Sequence, residues 1–201
     1  PWWIMALTAF LTPRLTGSRF DGHAIPIEFL RDFSVLQDMI VEAAKQEFLR
    51  QNSSRQRVPR GFDRGLQLKL TGIEEGSAMP VFGAVILAAN LFGQITSHTY
   101  FEQARDAIVH AVRAAESHQP VGLSDKVLSY FNEFGRSLRD GEAIEFAVPG
   151  TREIARLTKE TRRALVMSSQ RVNVVSETVV LFFFLLKQDP PRKTCNLELI
   201  D

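Results

Sequence analysis

One stretch constrains the fold more than any other. From Pro26 to about Arg50 the apolar residues recur with a helical period. At about 100° per residue, Phe29, Phe33, Leu36, Ile40, Ala43 and Ala44 fall within an arc of roughly 100°. Arg31, Asp38, Glu42 and Lys45 fall on the opposite side. A stripe of that width must be buried against another element, so Phe33 and Ile40 are expected inside and Asp38 and Glu42 outside. Pro26 suits the start of the helix, where a missing N–H is no loss.

The period then changes. Leu66, Leu68 and Leu70 alternate with Gln67, Lys69 and Thr71, which is the pattern of a half-buried strand, and Gly72-Ile73 breaks the phase as a bulge would. Glu74-Glu75-Gly76-Ser77 reads as a turn that returns the chain into a second strand over residues 78–87, with helix as the alternative from Val81 onward. A further strand is expected over residues 3–11. Thr99 and Glu102 have capping-box spacing and open a helix to about Ser117. Ser124 caps another, with Asp125 in its first turn and Val127, Phe131, Phe134 and Leu138 along one side. Ile144, Phe146 and Val148 form the inward face of a later strand. Residues 152–167 read as one helix, or as a turn followed by a short helix from Thr158.

Helical and strand periods in separate blocks give an α+β class: a mostly antiparallel sheet packed with three amphipathic helices, 26–50, 99–117 and 124–138. Residues 1–150 are expected to form this domain. Residues 151–201 are expected to hold a linker or short helix and a C-terminal β-hairpin, strands 172–187 and 194–200, which would begin a second small β domain. Val179–Leu186 is apolar on both strand faces and wants cover, so self-association or a further segment is expected there. The chain starts without methionine and stops directly after strand-like residues, which reads as a fragment.

Composition excludes some classes. With 45% hydrophobic and 23% charged residues the chain is globular rather than disordered. Its 24 basic and 23 acidic residues leave a net charge of +1, so any electrostatic partner has to be argued from local clusters. The lone cysteine, Cys195, cannot form an internal disulfide and fits a reducing, cytoplasmic setting. No run reaches the ~20 apolar residues a membrane span needs, so no membrane association is expected.

Catalytic signatures are missing. The histidines are His23, His98, His110 and His118, and none sits in a nucleophile, zinc or phosphate-loop motif. No catalytic residue, metal ligand or cofactor is therefore assigned, and the reading leans away from an enzyme. His98, Glu102, Asp106 and His110 recur every fourth residue, but the same geometry puts them opposite the apolar face of Phe101, Ala104, Ile108 and Val112, as solvated charges. Asp21-Gly22-His23 is expected as turn formers rather than an acid–base pair. Val148-Pro149-Gly150-Thr151-Arg152 resembles a strand-to-helix phosphate turn without its extra glycines, and Thr151 is read as a plain cap.

Two basic clusters remain. One holds Arg50, Arg55, Arg57, Arg60 and Arg64, with Phe62 as its one aromatic; the other holds Arg152, Arg156, Lys159, Arg162, Arg163 and Arg171. Arginine forks match phosphate geometry, so the first cluster is the candidate contact surface for nucleic acid or a nucleotide, set against a solvated loop. The leading functional expectation is a non-catalytic interaction or regulatory module, with a protein partner or self-association through the C-terminal hairpin. A nucleic-acid- or nucleotide-associated protein using loop 50–64 is the alternative, and an enzyme with a spatially assembled site the third. Arg14-Leu15-Thr16-Gly17 and the stretch of residues 70–77 have the look of bacterial proteins, which implies no activity.

Overall fold

A computed structural model describes residues 8–74, 78–86, 97–148 and 150–169. In chain order the elements are β1 (Thr8–Leu11), β2 (Arg14–Thr16), a 3-10 turn (Ser18–His23), α1 (Glu28–Gln51), a 3-10 turn (Phe62–Arg64), β3 (Leu66–Glu74), β4 (Met79–Ile86), α2 (Ser97–Glu116), α3 (Asp125–Leu128), a 3-10 turn (Ser129–Asn132), β5 (Ala143–Ala147) and β6 (Ile154–Leu157). Residues 159–169 form a last helix, α4. The fold is α+β, with two small antiparallel sheets ordered β1-β4-β3 and β2-β5-β6. Among the described residues a bridge between Leu15 and Ala78 joins them.

The helical stripe of α1 is buried: Phe29, Phe33, Leu36, Ile40, Ala43 and Ala44 all lie in the core. Phe33 meets Phe82 of β4 edge to face at 4.8 Å, so α1 covers the first sheet with aromatic packing. Phe48, at the far end of α1, begins a second aromatic row through Phe62 (5.6 Å) to Phe101 of α2 (5.3 Å). β3 and β4 pair as expected, from Leu66↔Ile86 to Glu74↔Met79. The register shifts between Leu70 and Gly72, where the sequence phase breaks. Ile144, Phe146 and Val148 face inward. Leu157 and Leu165 carry β6 and α4 into the same core.

Four expectations are corrected. Glu42 is buried, because Lys126 reaches it at 2.7 Å and Lys45 at 3.9 Å; a carboxylate with two cations can leave water. α2 begins at Ser97, which puts Thr99 within its first turn rather than at the cap. The third helix does not run to residue 138. Ser124 caps it, its hydroxyl accepting from the Val127 N–H, but α geometry ends at Leu128 and a 3-10 turn and further turns follow. Gly135 has φ +74 there, and an added Cβ would stand 3.1 Å from Leu157, so only glycine keeps this turn against β6. Of the two readings of residues 152–167, the short helix from Thr158 holds, preceded by strand β6 as well as a turn: Thr158 caps α4 by accepting from the Thr161 N–H at 3.2 Å. The Val148–Arg152 turn therefore joins two antiparallel strands, and no helix start follows Gly150 to cradle an anion. Within it the Thr151 hydroxyl donates to the Val148 carbonyl and accepts from the Glu153 N–H, the work of a turn residue rather than a helix cap. The expected hairpin of residues 172–200, Arg171 and Cys195 lie outside the described residues.

Candidate functional site

The arginine loop leaves α1 through a fixed root. The Asn52 N–H and its side-chain amide both donate to the Phe48 carbonyl, and Phe62 is pinned in the aromatic row. Arg50 sits on the last turn of α1 and donates two hydrogen bonds to Glu47 (2.8 and 2.5 Å), which also receives the Gln51 amide. Those donors hold the Glu47 carboxyl below its ordinary range. Arg50 is thus occupied by its own helix. The Arg55 guanidinium lies 5.9 Å from the Phe48 ring centroid, a cation–π approach that leaves its donors free. Arg57, Arg60 and Arg64 are exposed and form no ion pair among the described residues. The one acid in the loop, Asp63, is taken by Lys45 at 2.5 Å. Of the five predicted contact residues, Arg55, Arg57, Arg60 and Arg64 lie exposed on one loop, and Arg50 is paired with Glu47.

The second basic cluster is used differently. Arg156 pairs with Glu145 across the β5–β6 ladder at 3.0 Å, and Lys159 pairs with Asp140 at 2.8 Å. Arg162 donates to the Phe134 carbonyl (3.1 Å) and the Asn132 carbonyl (2.6 Å). Burial pushes its guanidinium pKa down, and the charge of Asp32 opposes that fall. Arg152 and Arg163 are exposed.

Three residues that the sequence reading passed over organise this end of the molecule. Arg19 donates to both oxygens of Glu142 (2.6 and 2.7 Å), to Glu28 (2.6 Å) and to the Ser137 carbonyl (2.8 Å). Glu142 is only 5% exposed, and Arg19 holds its pKa below the ordinary 4.5 in spite of burial. Gly17 makes room for this pair: at φ +129, an added Cβ would stand 2.7 Å from the Glu142 Cγ. Asp32, 2% exposed, accepts from the Gly135 N–H at 3.0 Å through Oδ1. Burial pushes the Asp32 carboxyl up; the Ser137 hydroxyl and the N–H groups of residues 135–137 oppose that rise. The turn of residues 132–138 is therefore gripped from two sides, its N–H by Asp32 and its carbonyls by Arg162.

A signal for Asp32 is present in the sequence. The ~100° step that defines the apolar arc places it about 60° from Phe29, at the arc's edge, where a charge needs a buried partner. Arg19 and Glu142 are 123 residues apart, and nothing local marks them as a pair.

Other candidates do not converge. Asp21 is exposed in its 3-10 turn, His110 is exposed on α2, and Asp106 pairs with Arg105 at 2.7 Å. Among the described residues no three His, Cys, Asp or Glu side chains are grouped to hold a metal ion. His118 has φ +56 because it takes the left-handed position that closes α2: its N–H bonds the Ala115 carbonyl, and the Gln119 N–H bonds that of Ala114. Clefts open among the described residues, two of them against α4 and α1. One of about 680 Å³ lies between the end of α2 and α4, with Ala115, Pro120, Val121, Ala164 and Met167 in its wall. The other, about 510 Å³, lies between the start of α1 and residues 133–139. No helix among the described residues is long and apolar enough to cross a membrane. No protein-family model matches the chain, and neither a curated protein nor a solved structure matches it.

Proposed function

We propose that the chain is a non-catalytic interaction module that offers the loop of residues 52–64 to an acidic protein segment. The observation that supports this reading is the exposure of Arg57, Arg60 and Arg64 without an ion pair among the described residues, on a loop whose root is fixed. Guanidinium forks pair bidentately with carboxylates, and an anchored loop loses less entropy on binding than a free one. A cytoplasmic setting belongs to the same reading, because it rests on the single cysteine.

Nucleic acid is the second reading, since the same forks match phosphate. Against it, Phe48 and Phe62, the rings beside these arginines, are both buried, so the loop presents no stacking platform for bases. An enzyme with a spatially assembled site ranks third, because the described histidines and carboxylates are dispersed or engaged in ion pairs.

The test compares binding of polyglutamate and of DNA at low salt, for the parent chain and for R55Q/R57Q/R60Q. The parent should bind polyglutamate, and the triple variant should bind about tenfold more weakly or worse, the scale of a few lost charge-assisted contacts. DNA retardation that falls steeply with salt and follows the same arginines would transfer the assignment to nucleic acid. Binding of neither polymer ends both readings.

A further inference from the structure

Residues 57–62 read Arg-Val-Pro-Arg-Gly-Phe, and they hold the one Pro-Arg-Gly of the sequence. That tripeptide forms a tight turn: the Phe62 N–H donates to the Pro59 carbonyl at 3.2 Å, with Arg60 and Gly61 as the two central residues. Gly61 has φ 85 and ψ 3, the left-handed conformation that a type II turn requires at its third position. Arg60 and Gly61 are both exposed, and no atom lies within 4 Å of where a Gly61 Cβ would stand. The backbone N–H groups of Gln56, Arg57, Val58, Arg60 and Gly61 donate no hydrogen bond within the described residues. Little therefore holds this stretch in its own conformation.

We propose that the Arg60–Gly61 peptide bond is a processing site for an arginine-specific serine protease that takes proline before the arginine, and that the cut chain stays folded as two pieces. Such an enzyme binds its substrate as an extended strand, with the arginine in a pocket that carries a carboxylate. Val58 is biased toward extended backbone because a proline follows it, and Pro59 has its φ already fixed, so less ordering is needed on binding. To fit, the Phe62-to-Pro59 turn bond has to open and Val58, partly packed on the core, has to lift. The other exposed arginines are held more firmly. Arg31 and Arg163 lie within helices, and the N–H groups of Arg136 and Arg139 are bonded to the Glu133 carbonyl and the Glu142 carboxylate. In the cut, water adds across the amide: the Arg60 carbonyl carbon takes the oxygen as a carboxylate, and the Gly61 nitrogen leaves as an ammonium carrying both water protons. The two pieces remain tied by packing. β1 pairs with β4 and β2 with β5 across the cut, while Phe33 meets Phe82 and Phe48 meets Phe62. The site does not depend on what the arginine loop binds.

Thrombin, which accepts Val-Pro-Arg, is the probe. Incubated with the folded full chain, it should give two products on a denaturing gel, residues 1–60 and residues 61–201, the second with Gly61-Phe62-Asp63 at its start by mass spectrometry. The products should elute together, at the position of the parent, from a size-exclusion column without denaturant. R60Q should keep the parent's unfolding midpoint and resist cutting. P59A should be cut about tenfold more slowly or worse, the scale of one lost pocket contact. R55Q/R57Q should be cut like the parent. No cut after Arg60 in the folded chain, cutting at other arginines at a comparable rate, cutting of R60Q, or separation of the products without denaturant each overturns the proposal.

Discussion

Between Arg55 and Arg64 the guanidinium groups face water; between Arg156 and Arg162 they face the carbonyl and carboxylate oxygens of neighbouring segments. The two regions have similar density of positive charge in the sequence. They differ in what lies beside them. The loop of residues 52–64 leaves from a helix end whose Phe48 carbonyl accepts from Asn52, and its acid is taken by Lys45. The turns of residues 132–142 lie against α1 and α4, where their unpaired backbone groups meet Asp32 and Arg162. Arginine supplies several donors at the end of a long stem, so it fills that need. The comparison teaches that charge density does not indicate availability; the number of backbone groups left unpaired nearby does.

The sharpest way to break the comparison is to remove Arg19. R19M leaves Glu142 buried without its cation and the Ser137 carbonyl without its donor, so urea denaturation should report a loss of about 3–5 kcal/mol. A loss below ~1 kcal/mol would mean that the turn region tolerates its charges as the loop does. R162M should cost less, about 1–3 kcal/mol, because two carbonyls lose donors and no opposite charge is stranded. Both variants should fold more weakly without altering polyglutamate binding.

Acid sharpens the same contrast. The folded pKa of Glu142 is depressed, so its contribution is complete above its ordinary 4.5 and is lost as pH falls through the folded value. In R19M the largest cause of that depression is gone, and burial pushes the carboxyl up against the Arg139 N–H and charge that remain. The gap between parent and R19M should therefore shrink steadily as pH drops below about 4.5. Asp32 acts with the opposite sign. Its folded pKa is raised above 3.8, so the native state holds the proton longer, and stability falls as pH rises through that raised value. D32N should remove this slope and leave that of Glu142.

Smaller effects come from positions outside the clamp. His118 occupies a left-handed position that glycine takes without steric cost, so H118G should stabilise by about 0.5–1 kcal/mol in a thermal melt. Smallest of all, R55Q/R57Q/R60Q should shift stability by under ~0.5 kcal/mol per site while weakening polyglutamate binding. A large loss of stability in the triple variant would place these arginines with Arg19 and Arg162 and dissolve the distinction between the regions.

Much of the fold was legible because it rests on short-range repetition. The α1 stripe, the β3–β4 hairpin with its phase break near Gly72, the inward face of Ile144, Phe146 and Val148, and the Ser124 cap all come from residues within about ten positions of one another. The misreadings share a cause. The wheel position of Glu42 faces away from the stripe, toward water, yet Lys126 comes from a segment 84 residues on and shields it. The 124–138 helix was extended because its apolar residues keep a helical spacing, whereas Gly135, Asp32 and Arg162 hold that chain in turns.

The sequence by itself determined which faces are apolar, where the chain turns, and that the class is α+β, since hydrophobic period and turn chemistry are local properties of the chain. Only the tertiary structure decided which charges are spent. Arg19 finds Glu142, Asp32 finds Gly135 and Arg162 finds Asn132 across 123, 103 and 30 positions of sequence, and the arginines of residues 55–64 find no opposite charge among the described residues. A charged side chain is stabilised by whatever opposite charge or unpaired backbone group packing brings within ~3 Å, and packing is a property of the whole chain.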